Sequence, residues 1–262
     1  GINDTPALKK ADIGIAMGNR GTEAAKEVAD LILKDDSFTS IVTAVRQGRG
    51  IFQNIRYFVV YLLSCNLSEV LIVALASLSN LSAPLLPLQI LFLNMVTDVF
   101  PALALGMNKE SDKVMQYPPR NTREPILTRK MWYTIILYSL SMTIAVLGIL
   151  LYGIYCLNAS ATLANNLAFY TLILVQLWNV FNLPDARASF WNNEITRNIF
   201  VWLAILVCLL IALIAYEVPI LKTVLSLQAI SSQEVGIVVL FSLIPVALIQ
   251  IFKRISMPFG SN

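Results

Sequence analysis

Residues 57–106 read YFVVYLLSCNLSEVLIVALASLSNLSAPLLPLQILFLNMVTDVFPALALG. Two apolar runs, 57–81 and 85–106, are each long enough to cross about 30 Å of hydrocarbon as a helix. Each carries one acid, Glu69 in the first and Asp98 in the second. No other Asp or Glu of the chain falls near the middle of a long hydrophobic segment. A charge at a bilayer centre costs about 2.5–3.5 kcal/mol on insertion scales, so an acid found there marks a candidate functional site. Polar residues accompany both acids at helical spacing: Asn66 lies three before Glu69, and Asn94, Thr97 and Asp98 fall at i, i+3 and i+4. The pattern predicts one polar stripe on each of two consecutive helices.

The rest of the chain agrees with a membrane reading. Of its 262 residues, 57% are hydrophobic and 13% charged, where a soluble domain carries about 25% charged residues. Six segments can span as helices, at about 57–79, 85–106, 132–156, 166–183, 199–219 and 235–252. The predicted fold class is mainly α, a six-helix transmembrane bundle. Basic residues set its orientation. The 107–131 connection carries Lys109, Lys113, Arg120, Arg123, Arg129 and Lys130. Arg187 and Arg197 lie in 184–198, and Lys253 and Arg254 follow the last span. The three other connections share only Lys222. The positive-inside rule makes the first group cytoplasmic, and an even number of spans puts residues 1–56 and the C-terminus on that same side. The expectation is an integral, multi-pass membrane protein in contact with lipid, located in the plasma membrane.

Residues 1–56 hold eight Lys/Arg and seven Asp/Glu, an ordinary soluble surface with no polybasic run, so nucleic acid is not an expected partner. They read as the end of an α/β domain. Ala11–Met17 is a strand candidate, with Gly18 as a turn. Thr22–Ala29 reads as a helix with Thr22 at its N-cap, and Leu31–Leu33 as a second strand. Ser40–Gln53 reads as a helix running into the first span, with no break stronger than Gly48 and Gly50. The expected division is 1–50 for the soluble part, 51–254 for the membrane part and 255–262 for a cytoplasmic tail. The chain has no initiator Met and reads as part of a longer protein.

Hard cations such as Ca²⁺ take six to eight oxygen ligands. Asn66, Glu69, Asn94, Thr97 and Asp98 can supply several from two adjacent helices. Two facing carboxylates repel unless a cation or protons lie between them, which favours a cation site over an interhelical packing role. Pro101, three residues after Asp98, frees a backbone carbonyl; local unwinding and a tolerated kink are both open. So are cavity and packing roles for Gln176, Asn179 and Asn182, which recur every three residues. At the N-terminus, Gly1-Ile-Asn3-Asp4 before a helix suggests backbone amides and a carboxylate near a phosphate or Mg²⁺. Cys65, Cys156 and Cys208 are scattered in apolar segments and read as small buried hydrophobes. With no His, there is no imidazole ligand, base or pH switch. Asn158-Ala-Ser160 fits a glycosylation acceptor, a weak three-residue match.

Gly1–Gly18, GINDTPALKKADIGIAMG, resembles the hinge motif of P-type ATPases, TGDGxNDxPALKxAxIGIAMG, with only the leading Thr-Gly-Asp outside it. Tyr61–Glu69 and Asn94–Gly106 resemble the fifth and sixth transmembrane helices of the calcium-pump branch. The likeness covers the whole chain in architecture and is most specific over the first 106 residues. It implies that residues 1–50 are the C-terminal part of a haloacid-dehalogenase-like phosphorylation domain. Asn3 and Asp4 would neighbour the phosphorylated Asp, whose DKTG motif is not in this chain. Asn66, Glu69, Asn94, Thr97 and Asp98 would be cation ligands, completed by the fourth helix in the missing N-terminal part. ATP and Mg²⁺ would be cofactors of the full-length protein, and Ca²⁺ the transported cation.

In two-site calcium pumps the eighth helix contributes a Glu, and Gln176 stands at that position here. One charge is lost from the first site, and Gln176 is the remaining candidate ligand. Without the acylated Asp, these 262 residues are expected not to hydrolyse ATP alone. The alternatives are Na⁺ or K⁺ specificity, a secondary transporter, or an inactive membrane fragment. Upstream absence of DKTG would favour the transporter.

Overall fold

A computed structural model describes residues 1–108, 112–116, 118–119, 124–183 and 193–255. Lys109, Arg120, Arg123 and Arg187, the Lys113 side chain and the 256–262 tail lie outside the described residues. The chain divides into two compact units. One comprises Gly1–Phe52 and Glu110–Pro118, the other Gln53–Lys109 and Pro119–Asn262.

In the first unit, a single 3₁₀ turn at Ile2–Asp4 leads into helix α1 (Thr5–Lys10). Strands β1 (Ile15–Met17) and β2 (Leu31–Leu33) pair in parallel, Ile15 opposite Leu31, and helix α2 (Glu23–Val28) crosses between them. The Thr22 side chain caps α2 by accepting from the Ala25 amide. The strand is shorter than the predicted Ala11–Met17. Its start is fixed at Gly14, whose amide donates to Asp30 Oδ2 at 2.8 Å and whose carbonyl takes the Asp30 and Leu31 amides. Gly14 also packs on α1, where a Cβ would meet the Leu8 carbonyl oxygen at 2.5 Å. Residues 11–13 are therefore the turn out of α1, with no strand partner of their own.

Helix α3 runs unbroken over Phe38–Leu78, 41 residues, roughly 60 Å at 1.5 Å per residue. A Cβ at Gly48 would meet nothing within 4 Å, so the glycine neither breaks the helix nor serves close packing.

The second unit holds the remaining helices: α4 (Pro87–Leu93), α5 (Val99–Gly106), α6 (Arg129–Tyr155), α7 (Ala161–Asn179), α8 (Ile199–Glu217), α9 (Pro219–Val224) and α10 (Ser232–Ile255). Among the described residues, six helical segments are long and apolar enough to cross a membrane, α4 and α5 counting together as Pro87–Gly106. Helices α6, α7 and α10 pack on one another, and α5 packs on α8. The core joins Tyr61, Cys65 and Ile72 of α3 to Leu93, Leu105, Ile135, Leu172 and Cys208. Leu203, Leu206 and Leu213 of α8 point outward, as a lipid-facing side requires. Cys156, expected to be buried, is exposed just past the end of α6.

The fourth span starts at Ala161, five residues before the predicted 166, because Ser160 caps it through the Leu163 amide. Two amides in its first turns, Asn165 and Asn166, are buried and partnered inside the bundle. Asn165 Nδ2 donates to the Pro84 carbonyl and Gln89 Oε1, and Gln89 Nε2 donates to Asn165 Oδ1 and the Leu225 carbonyl. Asn166 donates to the Ser226 carbonyl and accepts from the Gln228 amide. The three amides hold the 79–86 and 225–231 loops against α7.

Candidate cation site

The second span is broken beside its acid. Between α4 and α5 the backbone widens into a π-helical turn, Asn94–Asp98, a distortion that recurs at functional positions. Pro101 has no N–H to give the carbonyl of Thr97, four residues back. The Tyr61 hydroxyl donates to that carbonyl instead, at 2.7 Å, and Cys208 Sγ donates to the neighbouring Val96 carbonyl at 3.2 Å. The chain is thus widened rather than unwound, and side chains from α3 and α8 satisfy what the break frees. Pro101 signalled the free carbonyl in the sequence. Its partners, 36 and 112 residues from the carbonyls they serve, had no local signal.

The six residues singled out as ligands come together at this turn. Asp98 Oδ2 accepts from Asn66 Nδ2 at 3.2 Å. Glu69 Oε1 accepts from Gln176 Nε2 at 2.8 Å, and Gln176 Oε1 accepts from the Thr97 hydroxyl at 2.6 Å. Glu69, Thr97, Asp98 and Gln176 are all buried, while Asn66 is exposed. Two buried oxygens, Asp98 Oδ1 and Asn94 Oδ1, have no hydrogen-bond partner. Asn66 and Glu69 share a stripe on α3 yet serve different partners, one reaching Asp98 and the other Gln176.

Asn179 and Asn182 go elsewhere. Asn179 Nδ2 donates to Ser64 Oγ, and Asn182 Nδ2 to Asn179 Oδ1. Gln250 and Lys253 of α10 donate to the side-chain and backbone oxygens of Asn182. Of the three-residue repeat at the end of α7 and the turn after it, Gln176 meets Glu69 and the other two pack helices together.

Unpartnered buried oxygens normally need a ligand, an ion or water. Carboxylate, amide and backbone oxygens suit hard cations. Among the described residues, no group of three His, Cys, Asp or Glu is placed to hold a metal, so amides and carbonyls must carry much of any coordination here.

In the first unit Asn3 and Asp4 sit on the exposed turn before α1. One carboxylate beside one amide fits part of a Mg²⁺ donor set, which commonly includes phosphate oxygens and water. A second acid is held more firmly. Asp36 accepts from the Asn19 and Arg20 amides, both at 2.9 Å, and these bonds hold its carboxyl below the ordinary 3.8. Asp35 is lowered likewise, first by the Ser40 hydroxyl.

Six helices long and apolar enough to cross a membrane define a polytopic membrane protein. The chain belongs to the family described as cation transporting ATPase, C-terminus, which matches residues 82–255. It is similar to the calcium-transporting ATPase of Bacillus subtilis (strain 168), 39% identical over 251 residues, covering 95% of this chain and 28% of that protein. Calcium-transporting ATPase 1 of Bacillus cereus is 34% identical, with 97% and 30% covered. P-type sodium-transporting ATPase4 of Plasmodium falciparum is 44% identical over 156 residues, 59% of this chain and 12% of that protein. The chain spans at most 30% of the length of these relatives. It is an integral, multi-pass membrane protein.

Proposed function

We propose that this chain is the transport-bearing C-terminal portion of an ATP-driven Ca²⁺ pump. The observation that carries the reading is the π-helical turn at Asn94–Asp98, where buried Asp98 Oδ1 and Asn94 Oδ1 are left for a cation. Asn66 donates to the other oxygen of Asp98, and Gln176 bridges Glu69 to Thr97. In the whole protein, residues 1–50 complete the phosphorylation domain. Asn3 and Asp4 lie near the acyl-phosphate and share in holding Mg²⁺ when it is bound. ATP is the phosphoryl donor, and Mg²⁺ offsets charge on the transferred group. Helix α3 carries motion from that domain to Asn66 and Glu69. Residues 1–56 and the C-terminus face the cytoplasm, in the plasma membrane, and Ca²⁺ leaves the cytoplasm.

The calcium assignment draws support from relatives named calcium-transporting ATPases that align over nearly the whole chain. A Na⁺ specificity has its own support in sodium-transporting relatives that are 44% and 46% identical over shorter stretches. ATP hydrolysis by the full-length protein separates the two. Stimulation by micromolar Ca²⁺ in Na⁺-free buffer is the expected result. Stimulation by Na⁺ with indifference to Ca²⁺ would sink the calcium reading.

A further inference from the structure

Helix α5 is only eight residues long, and its N-terminal continuity with α4 is interrupted by the π-helical turn. Its C-terminal end is held by a separate set of side-chain contacts. The last four carbonyls of a helix have no intrahelical donor. Here Leu103 and Leu105 take the Met107 and Asn108 amides, at 3.1 and 3.3 Å. The remaining carbonyls are met by side chains from other helices. Asn198 Nδ2 donates to the Ala104 carbonyl at 3.1 Å. Asn54 Nδ2 donates to the Gly106 carbonyl at 3.3 Å and to the Asn108 carbonyl at 2.7 Å. Both asparagines are buried, 6% exposed for Asn54 and 9% for Asn198.

Each amide also belongs to a second element. Asn54 lies on α3, twelve residues before Asn66, so the same helix holds the C-terminal end of α5 at Gly106 and, through Asn66, meets Asp98 in the turn before it. Asn198 caps the start of α8, its Oδ1 accepting from the Phe200 amide at 2.9 Å. Ala104 is six residues from Asp98, about 9 Å along the axis. A shift at the tethered end therefore reaches the carboxylate with little to absorb it, and ligand geometry is sensitive to displacements of about 0.5–1 Å.

We infer that Asn54 and Asn198 are positioning residues for Asp98: their amides clamp the C-terminal carbonyls of α5 and thereby fix where the carboxylate stands for its cation. The inference rests on the pump reading above. Asn198→Asp is one test, because an aspartate still caps α8 while it loses the N–H that holds Ala104 and turns a carboxylate oxygen toward that carbonyl instead. Asn54→Ala removes the other tether, and Asn54→Ser, which keeps a hydroxyl donor, serves if the alanine variant does not accumulate.

The measurement is Ca²⁺-dependent ATP hydrolysis by the full-length protein in lipid vesicles. The Ca²⁺ concentration for half-maximal stimulation should rise about tenfold in Asn198→Asp and Asn54→Ala, and less in Asn54→Ser, with the KM for ATP unchanged. Variants that keep the parent's half-saturating Ca²⁺ concentration, whether or not they melt earlier, would overturn the positioning role and leave the pump reading standing. A parent protein with no Ca²⁺ stimulation would sink the pump reading, and this inference with it.

Discussion

Two clusters of buried polar side chains lie in the same helical bundle, and they are built in opposite ways. In one, Gln89, Asn165 and Asn166 use their amide groups on one another and on loop backbone, and both oxygen and nitrogen ends find partners. In the other, around the π-helical turn, two carboxylates stand among amides, and Asp98 Oδ1 and Asn94 Oδ1 remain open. A closed network of neutral groups stabilises a fold because nothing in it is left desolvated and unpaired. A network of carboxylates with open oxygens is costly to the fold on its own and is relieved by a cation or by protons. Both clusters contain several amides, so the amides alone do not separate them. Satisfaction and charge do.

The sharpest way to break this contrast is to alter one member of each cluster and read both function and stability. Asp98→Asn in the full-length protein should abolish cation-activated phosphorylation by ATP, while its melting temperature without cation stays level or rises because a buried charge is gone. An unchanged phosphoenzyme level would count heavily against the site. Gln89→Leu should do the reverse. It strands the Leu86 amide and one end of Asn165, so unfolding free energy should fall by about 2–4 kcal/mol, with the cation concentration for half-maximal phosphorylation little changed. A marked loss of cation affinity in Gln89→Leu would erase the distinction between the clusters.

The contrast also shows what a one-dimensional reading can reach. Glu69 and Asp98 were legible because a charge inside an apolar run is anomalous by itself. Pro101 announced a freed carbonyl by its covalent structure. The span positions followed from apolar length, and the Thr22 cap from its place before a helical run. Gln89 and Asn165 were not legible, since a neutral amide in a span has no meaning until its partner is known, and these two lie 76 residues apart. The same polarity hid the true start of α7. Asn54 and Asn198 escaped for a related reason: their partners are backbone carbonyls, which every residue has and no sequence pattern marks. The division of labour among Gln176, Asn179 and Asn182 depended on which helices pack against α7, a property of the bundle rather than of the helix.

A subtler variant tests whether Gln176 belongs to the open cluster or closes part of it. Its amide donates to Glu69 and accepts from Thr97, neutral on both sides. Gln176→Glu replaces the donor facing Glu69 with a second carboxylate oxygen, and like charges at that spacing need a cation or a proton. The variant should melt earlier than the parent without Ca²⁺ and regain most of the difference when Ca²⁺ is added. Bound Ca²⁺ per phosphoenzyme should also rise. If neither Ca²⁺-dependent melting nor stoichiometry changes, Gln176 is part of the packing and the cation position is confined to Asp98 and Asn94.

The smallest effect is expected where a carboxylate is charged but fully engaged at the surface. Asp36 joins the turn after β1 to the end of β2 through the Asn19 and Arg20 amides, and the Arg20 side chain adds a contact at 3.3 Å. Asp36 has a positive φ of 52°, which Asn also tolerates, so Asp36→Asn removes the charge without straining the backbone. The carboxyl is lowered below 3.8 in the folded protein, chiefly by the Asn19 amide. Its stabilising contribution is therefore present above 3.8 and is lost as pH falls through the lower folded value. Parent and variant should differ slightly in melting near neutral pH, the parent being the more stable, and the gap should close once the pH drops below that folded value. A gap that persists in acid would mean that the two amides respond to the shape of the side chain rather than to its charge, and the surface cluster would then belong with Gln89 and Asn165, where geometry alone sets the stability.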